Sequence, residues 1–346
     1  METAIGEFSM AKNLFLVISL LPALLLTTGC QPSGPNTAGQ QQQKYVIAVI
    51  PKGATHEHWQ SVHAGAIKAA RELTAAGTQV EVIWQGPLRE DDREQQIQTI
   101  EGLVSRGVDG IVLAPLDSRA LVRPVEEALR AKIPTLVFDS ALVSNDIVSY
   151  VATDNEKGGR LAAARMGELL KNRGKVLMLR YQEGSAATEE RERGFVKELA
   201  AKYPGVELVS SDQYAGATRD TAKRASENLL NRYGDELQGI FTPNESSTAG
   251  MLLALQDIKK AGQVVFVGFD KNAPLIDAMR AGQIQGIVVQ NPINMGYLSV
   301  KTIVEHLRGQ PVQRQIDTGV ELVTPADLDD PRVRELLYPS LDEYLK

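Results

Sequence analysis

The residues able to do chemistry in this sequence fall in short polar clusters, each just beyond a run of β-branched residues. The first is Pro51-Lys52-Gly53-Ala54-Thr55-His56-Glu57-His58-Trp59, followed by Asp117, the pair Asp139-Ser140, and Thr153-Asp154-Asn155. Further along stand Gln182-Glu183-Gly184-Ser185, Asn244-Glu245-Ser246-Ser247, Phe269-Asp270 and Gln290-Asn291. Carboxylates, amides and aromatics recur, without a clear nucleophile–base pair. Carboxylates and amides each bind adjacent hydroxyls, and an aromatic face packs on the apolar side of a sugar ring. The mixture therefore suits a small polyhydroxylated ligand. Taken singly, each residue has a second reading as the cap of the following helix, and Asp154, Asn244 and Ser185 stay open to both.

His56, His58 and His63 are three of the four histidines, within eight residues of one another. Imidazoles so spaced can bind zinc, with Glu57 as a fourth donor. However, His56 and His58 fall at the entry to a helix and His63 at least a turn inside it, so convergence needs unusual loop geometry. A neutral His58 donating to a ligand hydroxyl is the preferred reading, and no metal site is expected. An enzyme is the alternative of a different class. The stretch Ile50-Pro51-Lys52-Gly53-Ala54-Thr55 lacks the glycine pattern of dinucleotide binding, and Gly174-Lys175 is followed by Val176 rather than Ser or Thr. No serine or cysteine sits in a nucleophile elbow, so neither a catalytic residue nor a cofactor is expected.

The elements that must position these clusters alternate along the chain. Strand-like runs cover 45–50, 80–84, 110–114, 135–138 and 147–152, then 175–180, 206–210, 239–241, 264–267 and 284–289. Helical stretches separate them at 57–76, 90–105, 118–130, 155–171, 188–202, 218–232, 245–260 and 293–308. Such alternation predicts an α/β fold of parallel sheets with helices on both faces, and two series of five strands predict two similar lobes. Ligands of open α/β sheets bind beyond the carboxyl ends of the strands, where the polar clusters fall.

Composition agrees. The chain has 346 residues, 43% hydrophobic and 23% charged, which suits two packed domains and excludes wholesale disorder. A net charge of −6 gives no basic face for nucleic acid. The single cysteine, Cys30, excludes an intrachain disulfide or a thiolate metal cluster.

Cys30 ends a segment with its own logic. The apolar run from Leu14 to Leu26 is too short for a bilayer, which takes about 20 residues, but suits an export signal over residues 1–29. Its basic start works better from Met10, which leaves Lys12 without the preceding acids Glu2 and Glu7. The exit Leu26-Thr27-Thr28-Gly29-Cys30 resembles a bacterial lipoprotein signal, which implies lipidation of Cys30 and anchoring at an extracytoplasmic membrane face; an ordinary signal with an incidental cysteine is the alternative. Residues 30–43 then read as a tether, spanning on the order of 20 Å.

Four motifs carry a wider resemblance: Val151-Ala152-Thr153-Asp154-Asn155 followed by Gly158-Gly159; Arg191-x-x-Gly194-Phe195; Pro243-Asn244-Glu245; and Val267-Gly268-Phe269-Asp270. In order and with few gaps, from about Lys44 to Val323, the chain resembles the ribose/galactose-type periplasmic binding proteins, which share their core with the lactose-repressor family. Repressors begin with a DNA-binding helix-turn-helix, where this chain has an export signal. The resemblance implies two Rossmann-like lobes joined by three hinge crossovers. They would fall near Thr153-Asp154, near Gln290-Asn291, and near Asp317–Gly319. The lobes would be 44–153 with 291–319, and 154–290 with 320–346. It implies ligand contacts from His56, His58, Trp59, Asp139 and Ser140 on one lobe. From the other would come Arg191, Asn244, Phe269 and Asp270, with Gln290 at the hinge. It also implies a monomer that serves an ABC permease, or alternatively a receptor for chemotaxis or two-component signalling. Ribose binders carry asparagine at the place of Ala114, arginine at Ser140, an aromatic at Ala217 and two phenylalanines at His58 and Trp59. Those departures argue against ribose itself as the ligand.

Overall fold

A computed structural model describes residues 44–54 and 56–345. The expected signal over 1–29, Cys30 and the tether to residue 43 lie outside the described residues, as does Thr55 of the first loop.

The first half of the chain builds β1 (Lys44–Ile50), α1 (Glu57–Ala75), β2 (Gln79–Trp84), α2 (Arg93–Ser105), β3 (Gly110–Leu113), α3 (Val122–Arg130), β4 (Thr135–Phe138) and β5 (Tyr150–Ala152). The second half builds α4 (Asn155–Leu169), β6 (Gly174–Met178), α5 (Ala186–Lys202), β7 (Val206–Ser210), α6 (Arg219–Tyr233), β8 (Gly239–Phe241), α7 (Glu245–Asp257), β9 (Val265–Phe269), α8 (Ala273–Arg280) and β10 (Gly286–Gln290). The closing segment supplies α9 (Pro292–Leu307), β11 (Gln315–Asp317), β12 (Val320–Val323), α10 (Pro331–Leu337) and α11 (Asp342–Leu345). One sheet runs β11-β5-β4-β3-β1-β2 and the other β12-β10-β9-β8-β6-β7. Every pairing is parallel except β12, which runs antiparallel to β10 with Gln290 opposite Val320. The central strands read as unbroken apolar runs (GIVL, TLVF) because helices cover both faces of each sheet.

Among the described residues each sheet thus has six strands rather than the five expected, and the additions are the two halves of the last crossover. The chain passes between sheets after β5, after β10, and between β11 and β12. Asp154 and Asn291 cap the helices entered at the first two passages, accepting from the Lys157 and Asn294 amides at 2.8 and 3.1 Å. The Asp154 amide also donates to Asp317 Oδ1 at 3.3 Å, and the Thr153 and Thr318 hydroxyls lie 3.5 Å apart, so first and third passages run side by side.

Two helix pairs pack on glycine. A Cβ on Gly159 would lie 1.9 Å from the Arg191 carbonyl oxygen, and one on Gly194 2.1 Å from that of Glu156, so α4 and α5 meet backbone to backbone. Gly65 and Gly296 do the same for α1 and α9. Val333 and Leu337 of α10 join the core of the second lobe. The expected assignment of 320–346 to that lobe is corrected at its end. Helix α11 lies on the first lobe, where the Arg71 guanidinium on α1 donates to the carbonyls of Glu343 at 2.7 Å and Tyr344 at 3.3 Å. Carbonyls at the end of a short helix have no helical partners and take such donors.

Candidate ligand-binding cleft

Strands β4 and β9 hold equivalent places in their sheets, and each ends in Phe followed by Asp. Asp139 and Asp270 are both left-handed, with φ of 62° and 63°. Their amides donate to Val151 O at 3.1 Å and Val288 O at 2.8 Å on the neighbouring strands. A left-handed non-glycine residue is uncommon, and aspartate tolerates it better than most. Here it ends each strand with a carboxylate at the face where the lobes meet.

On the first lobe, Lys52 is 4% exposed and its ammonium lies 2.9 Å from Asp139 Oδ2. His58 Nε2 lies 3.2 Å from the other oxygen, too poorly aligned for a hydrogen bond. Burial opposes ionisation of Asp139, but Lys52 and His58 prevail and hold its carboxyl well below the usual range. Glu90, on the loop after β2, is buried. Its Oε1 accepts from Trp59 Nε1–H at 2.7 Å and lies 2.7 Å from His56 Nδ1; its Oε2 accepts from the Tyr181 hydroxyl of the second lobe at 2.7 Å. Burial alone would raise the Glu90 pKa; His56, Lys52 and Trp59 bring it down to about 2. Burial likewise works against the His56 cation, yet Glu90 and Glu245 raise its pKa to about 9. Burial and Glu90 together push the Tyr181 phenol well above its ordinary value.

On the second lobe, Arg191 is buried. Its Nε donates to Asn155 Oδ1 at 2.8 Å, its Nη1 to Pro243 O at 3.0 Å, and Nη1 lies 3.6 Å from Asp270 Oδ2. Gln290 Nε2 donates to the other Asp270 oxygen at 2.7 Å. Asn244 is both cap and wall: its Oδ1 accepts from the Ser247 amide at 3.3 Å while the residue lines the cavity. Glu245 Oε1 takes Arg219 and Asn272, and among the described residues neither Glu245 Oε2 nor Gln290 Oε1 has a hydrogen-bond partner. A buried acceptor without a donor is costly, so a ligand that supplies hydrogens gains at these two atoms.

The lobes are shut. Besides Tyr181–Glu90, Gln182 Nε2 donates to Glu90 O at 3.0 Å, the Ala187 amide to Ser140 Oγ at 3.1 Å, and the Ser118 amide to Gly184 O at 3.0 Å. Lys271 pairs with Glu57 across the same gap.

Of the expected contact residues, His56, His58, Trp59, Asp139, Arg191, Asn244, Asp270 and Gln290 line one cavity. Ser140 and Phe269 do not. The Ser140 hydroxyl is occupied by Ala187, and the Phe269 ring lies fully buried with the Arg191 guanidinium 4.0 Å from its centroid. Lys52 and Ser185 lie in clusters read from the sequence, where neither was assigned a ligand role. Tyr181 directly follows an expected strand and was legible by the same rule, whereas Glu90 sits six residues past β2 in a loop without periodicity. The histidines do not converge. His56 faces Glu90, His58 faces Asp139, and His63 stacks on Trp84 with ring centroids 4.4 Å apart. Among the described residues no three His, Cys, Asp or Glu side chains are grouped to hold a metal ion.

The family model described as a periplasmic binding protein domain matches residues 47–311. The ribose import binding protein of Bacillus subtilis is 27% identical over 321 residues, covering 91% of this chain and 99% of that protein. The D-ribose/D-allose-binding protein of Pseudomonas aeruginosa is 28% identical, covering 88% of this chain and 97% of that protein. Among solved structures, a carbohydrate transporter solute-binding protein from Agrobacterium radiobacter in complex with D-arabinose superposes with a TM-score of 0.80 at 32% identity, over 85% of this chain and 99% of that one. A solute-binding protein from Agrobacterium vitis with bound D-fucose gives 0.79 at 33% identity, over 85% and 100%. Two α/β lobes, strand-end carboxylates facing each other across a cleft, and a match over most of the chain together place this protein in the periplasmic binding protein family, whose members work outside the cytoplasm.

Proposed function

We propose that this chain is the solute-binding component of an ABC importer and captures a sugar or sugar-like molecule in the interlobe cleft. One observation carries the reading. The two left-handed aspartates, with Lys52, Arg191 and the free acceptors of Glu245 and Gln290, ring a single cavity with charged donors and acceptors drawn from both lobes. A ligand with several adjacent hydroxyls donates to the carboxylates and accepts from the cations at once, which supports hydroxyl recognition. The passages at Thr153-Asp154 and Gln290-Asn291 absorb a rotation of one lobe against the other, and the closed form is the one the permease recognises. Release to a permease requires modest affinity, roughly micromolar, or about 8 kcal/mol. Cys30 carries a lipid that holds the protein, as a monomer, at the outer face of a membrane.

A thermal-shift screen over pentoses, hexoses and polyols tests the reading. A sugar at 100 times its Kd stabilises by about 2.7 kcal/mol. A shift with zinc and with no carbohydrate would overturn it. Intact mass of the membrane-extracted protein tests the anchor: unmodified cysteine would remove it.

A further inference from the structure

A second cavity of about 310 Å³ adjoins the site, lined by Arg89, Ala217, Thr218, Arg219 and Asp220, with His56 and Glu90 forming the wall the two cavities share. The inner cavity of the shut protein measures only about 30 Å³, and the larger space beside the recognition groups lies on the outer side of the His56–Glu90 wall. Its volume reaches the lower range of small-molecule sites, roughly 300–1,000 Å³. At the junction, the buried Glu245 Oε2 has no hydrogen-bond partner among the described residues and faces His56 Nε2 only at ion-pair range, 3.9 Å. That oxygen calls for a donor where an extended ligand would pass from one cavity to the other.

We propose that the ligand is longer than one sugar ring, with a second, glycosidically linked sugar residue in the vestibule. The inference rests on the carbohydrate reading above and adds the ligand's length. The vestibule offers two guanidinium groups, a carboxylate and a hydroxyl, which suit hydroxyls. Both guanidinium groups already have counter-ions, Arg89 with Asp91 and Arg219 with Glu245, so the lining favours a neutral sugar over a phosphate or carboxylate. Ala217 is buried and small, and leaves the space that a larger side chain there would fill.

Calorimetric titration with D-galactose against lactose and melibiose, and with D-glucose against maltose and cellobiose, tests this. At least one disaccharide is expected to bind ten times more tightly than its component monosaccharides. Ala217→Phe is expected to weaken that disaccharide at least tenfold and its component monosaccharide by a smaller factor. Arg89→Ala, at an exposed side chain whose loss leaves the core intact, is expected to weaken the disaccharide alone by threefold or more. Monosaccharides binding as tightly as the disaccharides, or both variants affecting the two ligand sizes equally, would overturn the inference and leave the carbohydrate reading standing. No binding by any carbohydrate of either size would overturn that reading, and this inference with it.

Discussion

Asp139 shows how closely recognition and stability are joined at single residues. It neutralises a buried lysine and approaches His58, so it cannot be removed without leaving Lys52 as an unpaired buried charge. Breaking such a pair costs about 3–5 kcal/mol. Asp139→Ala is therefore expected to lower the melting temperature as well as abolish binding, whereas Asp139→Asn, which keeps the volume and an acceptor, should lose binding with a smaller melting shift. The His56–Glu90 pair sets a pH window. His56, raised to about 9 from an ordinary 6.5, contributes stability that is complete below about pH 6.5 and lost as pH rises through 9. Glu90, depressed to about 2 from 4.5, contributes above about pH 4.5 and loses its share as pH falls towards 2. Melting temperatures of the wild type should thus decline between pH 6.5 and 9 more steeply than those of His56→Gln; parallel curves would refute the assignment. The strand-end acids Asp139 and Asp270 were legible in the sequence because each stands directly after an apolar run ending in Phe. Glu90 was not, because its burial comes from Tyr181 and Gln182 of the other lobe, which only the closed pair of lobes brings against it.

At the scale of elements, α4 and α5 act as one platform for Arg191. Asn155 at the start of α4 accepts from the guanidinium, while Gly159 and Gly194 let the helices touch. A side chain at Gly159 has nowhere to go. Gly159→Leu is expected to destabilise the fold by about 1–3 kcal/mol and to weaken binding through displaced Arg191, as read by urea unfolding together with calorimetry. Unchanged stability would mean that the helices part without cost. The alternation of strands and helices was plain from periodicity. Two kinds of element escaped it. Helix α8 has eight residues, with a proline in its first turn where the missing N–H costs nothing. Strands β11 and β12 have three and four residues, too short for a hydrophobic pattern, and owe their conformation to the sheet edges they join.

For the whole molecule, two lobes in contact through polar side chains form a two-state device. Water can replace most of the bonds across the cleft when the lobes part, so open and shut forms need differ by only a few kcal/mol, and a ligand touching both lobes shifts the balance. Helix α11 adds a contact outside the cleft, since the chain leaves the second lobe at α10 and ends on α1 of the first. The division into two lobes was legible in the two series of strands, but the return of α11 was not, because four residues are too few to carry a periodic pattern. The central requirement is that a hydroxylated ligand is held from both lobes at once. Isothermal titration of the wild type and Arg191→Ala, with the carbohydrate that gives the largest thermal shift, tests that most directly. Saturable binding at one site per chain with roughly micromolar Kd, weakened at least 100-fold in a variant that still shows the wild-type circular dichroism, is the expected result. Equal affinity in the two proteins would contradict it.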